Sequence, residues 1–212
     1  MTHAFAIVGT GPAGFYAAEA ILKARPGSTV DLFDRLPTPY GLVRSGIAPD
    51  HQSTKNVWRV YQRIGKRPDV RFLGNVELGR DVSLAELRAA YDAVGLAIGA
   101  PVDKKLGIPG ESLPGVIGSA ELSGWYNGHP DWSGASPPLG RRIVVLGQGN
   151  VAVDVVRVLG RCRAEMTKTD LPAYAAERIE AAGIEELWMV RRRGPGEAAF
   201  TPVELRKLGE LE

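Results

Sequence analysis

Six consecutive residues, Gly9-Thr10-Gly11-Pro12-Ala13-Gly14, restrict this chain more than any other feature. They follow the apolar run Phe5-Ala6-Ile7-Val8 and precede a segment in which Phe15, Ala18, Ile21 and Leu22 recur at helical spacing until Pro26 and Gly27. A short apolar run that stops at glycine reads as a buried parallel strand feeding a turn, and Pro12 suits a first helical position. Val30 to Phe33 supply a second strand closed by Asp34, so residues 5 to 34 predict one βαβ unit with a right-handed crossover. The pattern returns at Ile143 to Leu146, which run into Gly147-Gln148-Gly149-Asn150-Val151-Ala152. A helix follows through Val155, Val158 and Leu159, and Glu186 to Val190 form the second strand. Two such turns predict an α/β fold of two Rossmann-like modules, over residues 1–104 and 105–212.

Between the turns, residues 35–50 are rich in Pro and Gly without periodicity and predict a long ordered loop or lid. Residues 51–66 predict one helix with Val57, Val60, Tyr61 and Ile64 on a shared face, followed by a strand at Val70 to Leu73. Ser83 with Glu86 forms a capping box that opens another helix, and Ala93 to Ile98 is the strand after it, interrupted by Gly95. Residues 99–140 are again dense in Gly and Pro and hold the domain boundary. A helix is expected around Tyr174 to Ala182, and another starts near Thr201.

A dinucleotide pyrophosphate requires bare backbone close to it and a helix N-terminus aimed at it. Gly9, Gly11 and Gly14, with Pro12 and Ala13 between them, meet that requirement, and Asp34, about 20 residues past Gly14, can accept hydrogen bonds from ribose hydroxyls. The competing reading is a set of tight turns in a fold that binds nothing. At the second turn Ala152 replaces the third glycine, and Arg191, Arg192 and Arg193 stand where a carboxylate would close the strand. A guanidinium there would meet the 2′-phosphate of NADP through charge-assisted bonds worth about 1.5–3 kcal/mol each. The alternative is a solvated arginine cluster.

Two nucleotide turns, one with a carboxylate and one with arginines, suggest a flavoprotein that takes hydride from NADPH. The run Pro37-Thr38-Pro39-Tyr40-Gly41-Leu42-Val43-Arg44, followed by Gly46, Ala48, Pro49, Asp50 and His51, closely resembles the lid segment of the adrenodoxin reductase family of ferredoxin-NADP reductases. Similar matches are Gly74-Asn75-Val76, Ile108-Pro109-Gly110-Glu111, Gly124-Trp125-Tyr126-Asn127, the second glycine turn on to Val155, and Arg192-Arg193-Gly194-Pro195 with Ala199-Phe200-Thr201 and Glu204-Leu205-Arg206. The resemblance implies FAD at the first turn, with Gly41, Leu42 and Val43 of the lid beside it, and NADP at Gly147, Gln148, Gly149, Asn150 and Val151. It implies an activity in which NADPH delivers hydride to flavin N5 and electrons pass singly to a ferredoxin-type iron–sulfur protein. It also implies that His51 and Asp154 are the active-site His and carboxylate, and that Glu204 contacts the nicotinamide side of the cofactor. By itself, His51 reads as a helix-capping or loop histidine. Two departures stand out: Arg191 occupies a place usually held by Gly, and the family's Gly-rich segment over the isoalloxazine lies beyond Glu212, so a truncated second module and FAD part are expected.

With 212 residues and 44% apolar composition, the chain can build a sizeable core. A net charge of +2 gives no reason to expect nucleic acid or a membrane. Cys162 is the single cysteine, read as buried and inert, so an iron–sulfur cluster must belong to a partner and no metal site is expected. No leader and no apolar stretch of about 18 residues is evident, which predicts a cytoplasmic protein. Lys55, Arg59, Arg63, Lys66 and Arg67 form a stripe without acidic residues, either a ferredoxin docking face or ordinary solvated surface. Trp125, Trp132 and Trp188 read as packing residues. Three functions fit: the reductase, a catalytically incomplete nucleotide-binding fragment, and an NADPH flavoprotein subunit serving another acceptor, such as the small-subunit type of glutamate synthases.

Overall fold

The computed structural model describes residues 2–161, 163–192 and 194–209, so Cys162 and Arg193 lie outside the described residues. The chain divides into two compact units. One contains the residues up to Arg44 and Ser53–Pro101; the other contains Ser45–Gln52 and the residues from Val102 onward.

In the first unit, β1 (Ala4–Val8), β2 (Thr29–Phe33), β3 (Val70–Leu73) and β4 (Ala93–Leu96) form a parallel sheet in the order β3-β2-β1-β4. Helix α1 (Pro12–Ala24) crosses from β1 to β2, as expected from its apolar spacing, and buries Phe15, Ala18 and Leu22. The central strands β1 and β2 are covered on both faces, as in a parallel sheet, whereas the edge strand β4 is largely exposed. Ala6, Val8 and Phe33 pack with Leu87, whereas Ile7, Val30 and Leu32 point the other way and are equally buried. The stacked rings of Phe15 and Tyr61, 5.1 Å apart, join α1 to the later helical segment. Burial pushes the Tyr61 hydroxyl pKa up to about 12.

The lid contains one short turn of helix, α2 (Leu42–Ser45), and the expected helix over 51–66 is two pieces, α3 (Gln52–Lys55) and α4 (Trp58–Gly65). The chain changes units within α3, between Gln52 and Ser53. Lys55 is buried, at 7% exposure, and leaves the basic stripe; Arg59, Arg63, Lys66 and Arg67 stay exposed. Helix α5 (Leu84–Ala90) begins at the expected capping box: Ser83 Oγ accepts from Glu86 N, and the Glu86 carboxylate accepts from Ser83 N.

Past Val102 the first helix of the second unit is α6 (Ser119–Tyr126), inside the stretch dense in Gly and Pro where the domain boundary was expected. Its cap comes from sixteen or more residues away, where the Asp103 carboxylate accepts from Ala120 N and Ser119 Oγ. No local pattern announces such a cap. Strands β5 (Arg142–Leu146) and β6 (Glu186–Val190) pair in parallel around α7 (Asn150–Gly160), α8 (Arg163–Met166) and α9 (Ala173–Ala182), with α10 (Pro202–Leu208) last. The core gathers Leu122, Trp125, Tyr126, Val155, Val158 and Ile179, with Trp132, Ile143, Val145 and Leu187 packed against it. Trp188 contradicts the sequence expectation. Strand alternation places it with Val144, Leu146 and Val190 on the opposite face, where it is 58% exposed and its indole N–H donates to Glu186. No helix among the described residues is long and apolar enough to cross a membrane.

Candidate functional site

At the first turn the backbone leaves β1 through Gly9, whose φ is +106°. A Cβ there would stand 2.2 Å from Ala97 O, and one on Gly14 would stand 2.0 Å from Gly9 O, so both positions exclude side chains. Gly11, in contrast, faces open space, its virtual Cβ meeting only Gly41 Cα at 4.0 Å. Gly11 is also the N-cap of α1, with Pro12 and Ala13 in the first turn of that helix. The carboxylate of Asp34 ties turn to strand: Thr10 N and Thr10 Oγ1 donate to its Oδ2 at 3.0 and 2.5 Å, and Leu36 N donates to its Oδ1 at 3.0 Å. A carboxylate offers about four lone-pair sites, which leaves acceptor capacity on Oδ1.

The lid lies against this turn. Tyr40 N donates to Thr10 O at 2.9 Å, and a Cβ on Gly41 would approach Gly11 Cα to 2.9 Å. Tyr40 takes φ +92°, a strained value for a residue with a side chain. Its ring is held by Phe15 at 5.6 Å, by Tyr61 at 6.1 Å and by the Arg44 guanidinium at 5.4 Å. Leu42 remains 69% exposed, whereas Val43 is buried, so Val43 can meet a ligand only through its backbone.

At the second turn, Gly147 N donates to Val190 O at 2.9 Å, and a Cβ on Gly147 would meet the Ala152 methyl at 3.6 Å, an ordinary contact. Gly149 has open space around it and caps α7. Gln148 O accepts from Ala199 N, Asn150 Oδ1 accepts from Thr201 N at 3.1 Å, and the side chain of Val151 is exposed. The Asn150 side chain therefore anchors the start of α10. Arg191 donates to Gln148 Oε1 at 3.5 Å, and Arg192 is exposed beyond β6.

One turn along α7 the second unit holds a cluster of charges. Arg157 is fully buried. Its Nε and Nη2 donate to the two oxygens of Asp50 at 2.5 and 3.1 Å, Nη2 donates to Asp154 Oδ1 at 2.6 Å, and Nη1 donates to Glu204 Oε2 at 3.1 Å. His51 Nε2 lies 3.0 Å from Arg157 Nη2 and 3.2 Å from Glu204 Oε2, and His51 Nδ1 lies 3.6 Å from Asp154 Oδ1. His51 and Asp154, expected as a pair, are thus adjacent, and Glu204, expected separately at the nicotinamide side, lies beside them. The sequence reading missed Asp50 as a partner and missed Arg157 altogether. The available signal was an arginine inside the apolar stripe of α7, three residues after Asp154.

Burial acts to raise the Asp50 pKa, but the Arg157 hydrogen bonds and the nearby cations outweigh it and hold the group below the usual carboxylate range. Asp154 moves the other way, raised by burial against the pull of Arg157. His51 is lowered, first by burial and then by the Arg157 charge, with Asp154 and Glu204 opposing. Ligand atoms of His51, Asp154 and Glu204 lie within 4.8 Å of one another, close enough to suggest a metal site. However, Arg157 already donates to the Asp154 and Glu204 oxygens, so a metal ion there would meet a guanidinium in contact.

These features define a protein of two Rossmann-like nucleotide-binding modules with a buried ion cluster beside the second turn. No family model matches the chain. It is 50% identical over 204 residues to the mitochondrial NADPH:adrenodoxin oxidoreductase of Arabidopsis thaliana, a match covering 95% of this chain and 42% of that protein. It is 47% identical to the NADPH-ferredoxin reductase FprA of Mycobacterium leprae, over 99% of this chain and 47% of that one. The solved structure of Mycobacterium tuberculosis FprA in complex with NADPH superposes with a TM-score of 0.96 at 45% identity, covering 100% of this chain and 48% of that one. Thioredoxin reductase of T. acidophilum, at 18% identity and a TM-score of 0.50, shares the fold alone. The resemblance to adrenodoxin reductase-type ferredoxin-NADP reductases therefore extends over essentially the whole chain. The chain spans about half the length of the curated relatives it matches.

Removing one partner of a buried ion pair leaves the other charge uncompensated, so Asp50→Asn should destabilise the protein by about 3–5 kcal/mol at neutral pH. Because the folded state lowers the Asp50 pKa, its contribution is complete above 3.8 and fades as pH falls toward the lower folded value. Urea unfolding of both proteins should show a wide stability gap at about pH 7 that narrows at about pH 3.

Proposed function

We propose that this chain carries the FAD- and NADP-binding modules of an NADPH-dependent flavoprotein reductase that moves electrons between NADPH and a ferredoxin-type iron–sulfur protein. The carrying observation is the pair of strand-end turns whose middle glycines, Gly11 and Gly149, are left open at helix N-termini. A pyrophosphate at each would meet bare backbone and the positive end of a helix dipole. The names of the relatives, NADPH oxidoreductases of adrenodoxin and ferredoxin, support the same reading.

FAD belongs at the first turn in this reading, with Gly9, Gly11, Pro12, Ala13 and Gly14 around its pyrophosphate, Asp34 toward its ribose, and Gly41 and Leu42 beside it. Held by these residues, a flavin would supply the chemistry that converts the hydride pair of NADPH, accepted at N5, into single electrons for the iron–sulfur partner. NADP belongs at Gly147 to Val151, with Arg192 and Arg193 on its 2′-phosphate. His51, Asp154 and Glu204 supply polar groups near the nicotinamide side, where His51 offers a neutral ring and Asp154 a carboxylate of raised pKa. The docking face for an acidic partner centres on Arg59 and Arg63, which are exposed on α4 without an acidic neighbour in that helix. A second reading, a nucleotide-binding portion that completes no reaction by itself, is favoured by the half-length match to the relatives.

Four measurements test these assignments. The purified protein should be yellow, with a flavin band that bleaches on adding NADPH; a colourless protein supports the second reading. Gly11→Ala should lose the flavin while its apoprotein melts where the wild-type apoprotein does, whereas the Gly14→Ala apoprotein should also lose about 1–3 kcal/mol of stability, because its Cβ would meet backbone. In calorimetric titrations, Arg192→Ala with Arg193→Ala should weaken NADP+ binding about tenfold or more and leave NAD+ binding nearly unchanged; equal losses would overturn the choice of NADP. Reduction of an acidic ferredoxin should slow with added salt and with Arg59→Glu or Arg63→Glu, and a salt-insensitive rate would remove the docking face.

A further inference from the structure

The hydrogen-bonding demands on His51 Nε2 conflict. Arg157 Nη2, 3.0 Å away, carries only donors, so a bond between them needs an unprotonated Nε2. Glu204 Oε2, 3.2 Å away, is an acceptor, so a bond to it needs a proton on the same nitrogen. Glu204 Oε2 already accepts from Arg157 Nη1 at 3.1 Å and is satisfied without the imidazole. Nη2 has two hydrogens: one serves Asp154 at 2.6 Å, and the other lies between His51 Nε2 and Asp50 Oδ1, a carboxylate that Nε also holds at 2.5 Å.

Counting the charges resolves the conflict the same way. Helix α7 presents Asp154, Arg157 and Arg161 to the cluster, α10 presents Glu204 and Lys207, the adjoining residue is Asp50, and α6 adds the neutral phenol of Tyr126. Three carboxylates balance three cations, so a proton on His51 would leave an uncompensated positive charge beside a fully buried guanidinium.

We infer that Arg157 is a positioning residue that donates to His51 Nε2 and so holds the imidazole neutral, with its proton on Nδ1 facing Asp154. The role rests on the reductase reading, in which His51 stands next to the reacting atoms. There His51 is an oriented neutral ring rather than an acid, and its Nδ1–H faces the Asp154 carboxylate across 3.6 Å, an electrostatic contact rather than a hydrogen bond.

Long-range 1H–15N correlation spectra of the full chain, recorded without added cofactor and assigned with His51→Gln, test this directly. At neutral pH the wild-type His51 should show the Nδ1–H tautomer, and its titration midpoint should lie below that of an ordinary histidine. Arg157→Lys retains a positive charge but loses the planar fork. In that variant, checked for folding by near-ultraviolet circular dichroism, the tautomer should shift toward Nε2–H and the midpoint should rise. An Nε2–H or doubly protonated ring in the wild type overturns the inference, and so does a folded Arg157→Lys variant with tautomer and midpoint unchanged. If that variant fails to fold, the wild-type tautomer decides alone. Because no cofactor is involved, failure here is separate from failure of the flavin and NADP+ binding tests of the reductase reading.

Discussion

A guanidinium removed from water is stable only where carboxylates surround it, and Arg157 imposes that condition on the second unit. Its acceptors come from three separate parts of the sequence: Asp50 before α3, Asp154 one turn back on α7, and Glu204 in the first turn of α10. Satisfying the buried charge therefore brings the segment Ser45–Gln52 against α7 and seats α10 beside it. His51 is carried to the same place because it follows Asp50. The grouping of His51, Asp154 and Glu204 is a consequence of neutralising one arginine.

The glycine turns rest on a different constraint, the exclusion of side chains by backbone. Gly9 and Gly14 are required by the fold itself, since a Cβ at either would meet a carbonyl oxygen. Gly11 and Gly149 are required by neither packing nor backbone conformation. Under the proposed function the open space at those two positions is what a pyrophosphate would use, whereas Gly9 and Gly14 are demanded by the fold whatever binds. Asp34 belongs partly to each class, because its carboxylate ties Thr10 to the end of β2 and retains acceptor capacity for a ribose.

Elements with strong local signals were legible along the chain. The strands at both turns, α1 with Pro12 at its start, the Ser83 capping box and the Thr201 start of α10 follow from apolar spacing and from caps within a few residues. Elements stabilised from a distance were not. Helix α6 takes its cap from the Asp103 carboxylate, and the split of the 51–66 segment into α3 and α4 has no local sequence signal. Trp188 was misread because strand alternation sets only which residues share a face, and the exposure of that face depends on what packs there.

Sequence alone determined the two strand–turn–helix modules, their parallel pairing and the residue types suited to nucleotides, because these depend on contacts between neighbours in the chain. The apolar period of β1 and α1, and the glycines between them, already contain that information. Tertiary structure decided the burial of Lys55, the exposure of Trp188 and the membership of the charged cluster. Membership of the cluster depends on residues more than a hundred positions apart, as with Asp50 and Arg157, and on the cost of an unpaired charge out of water. Spacing along the chain records neither.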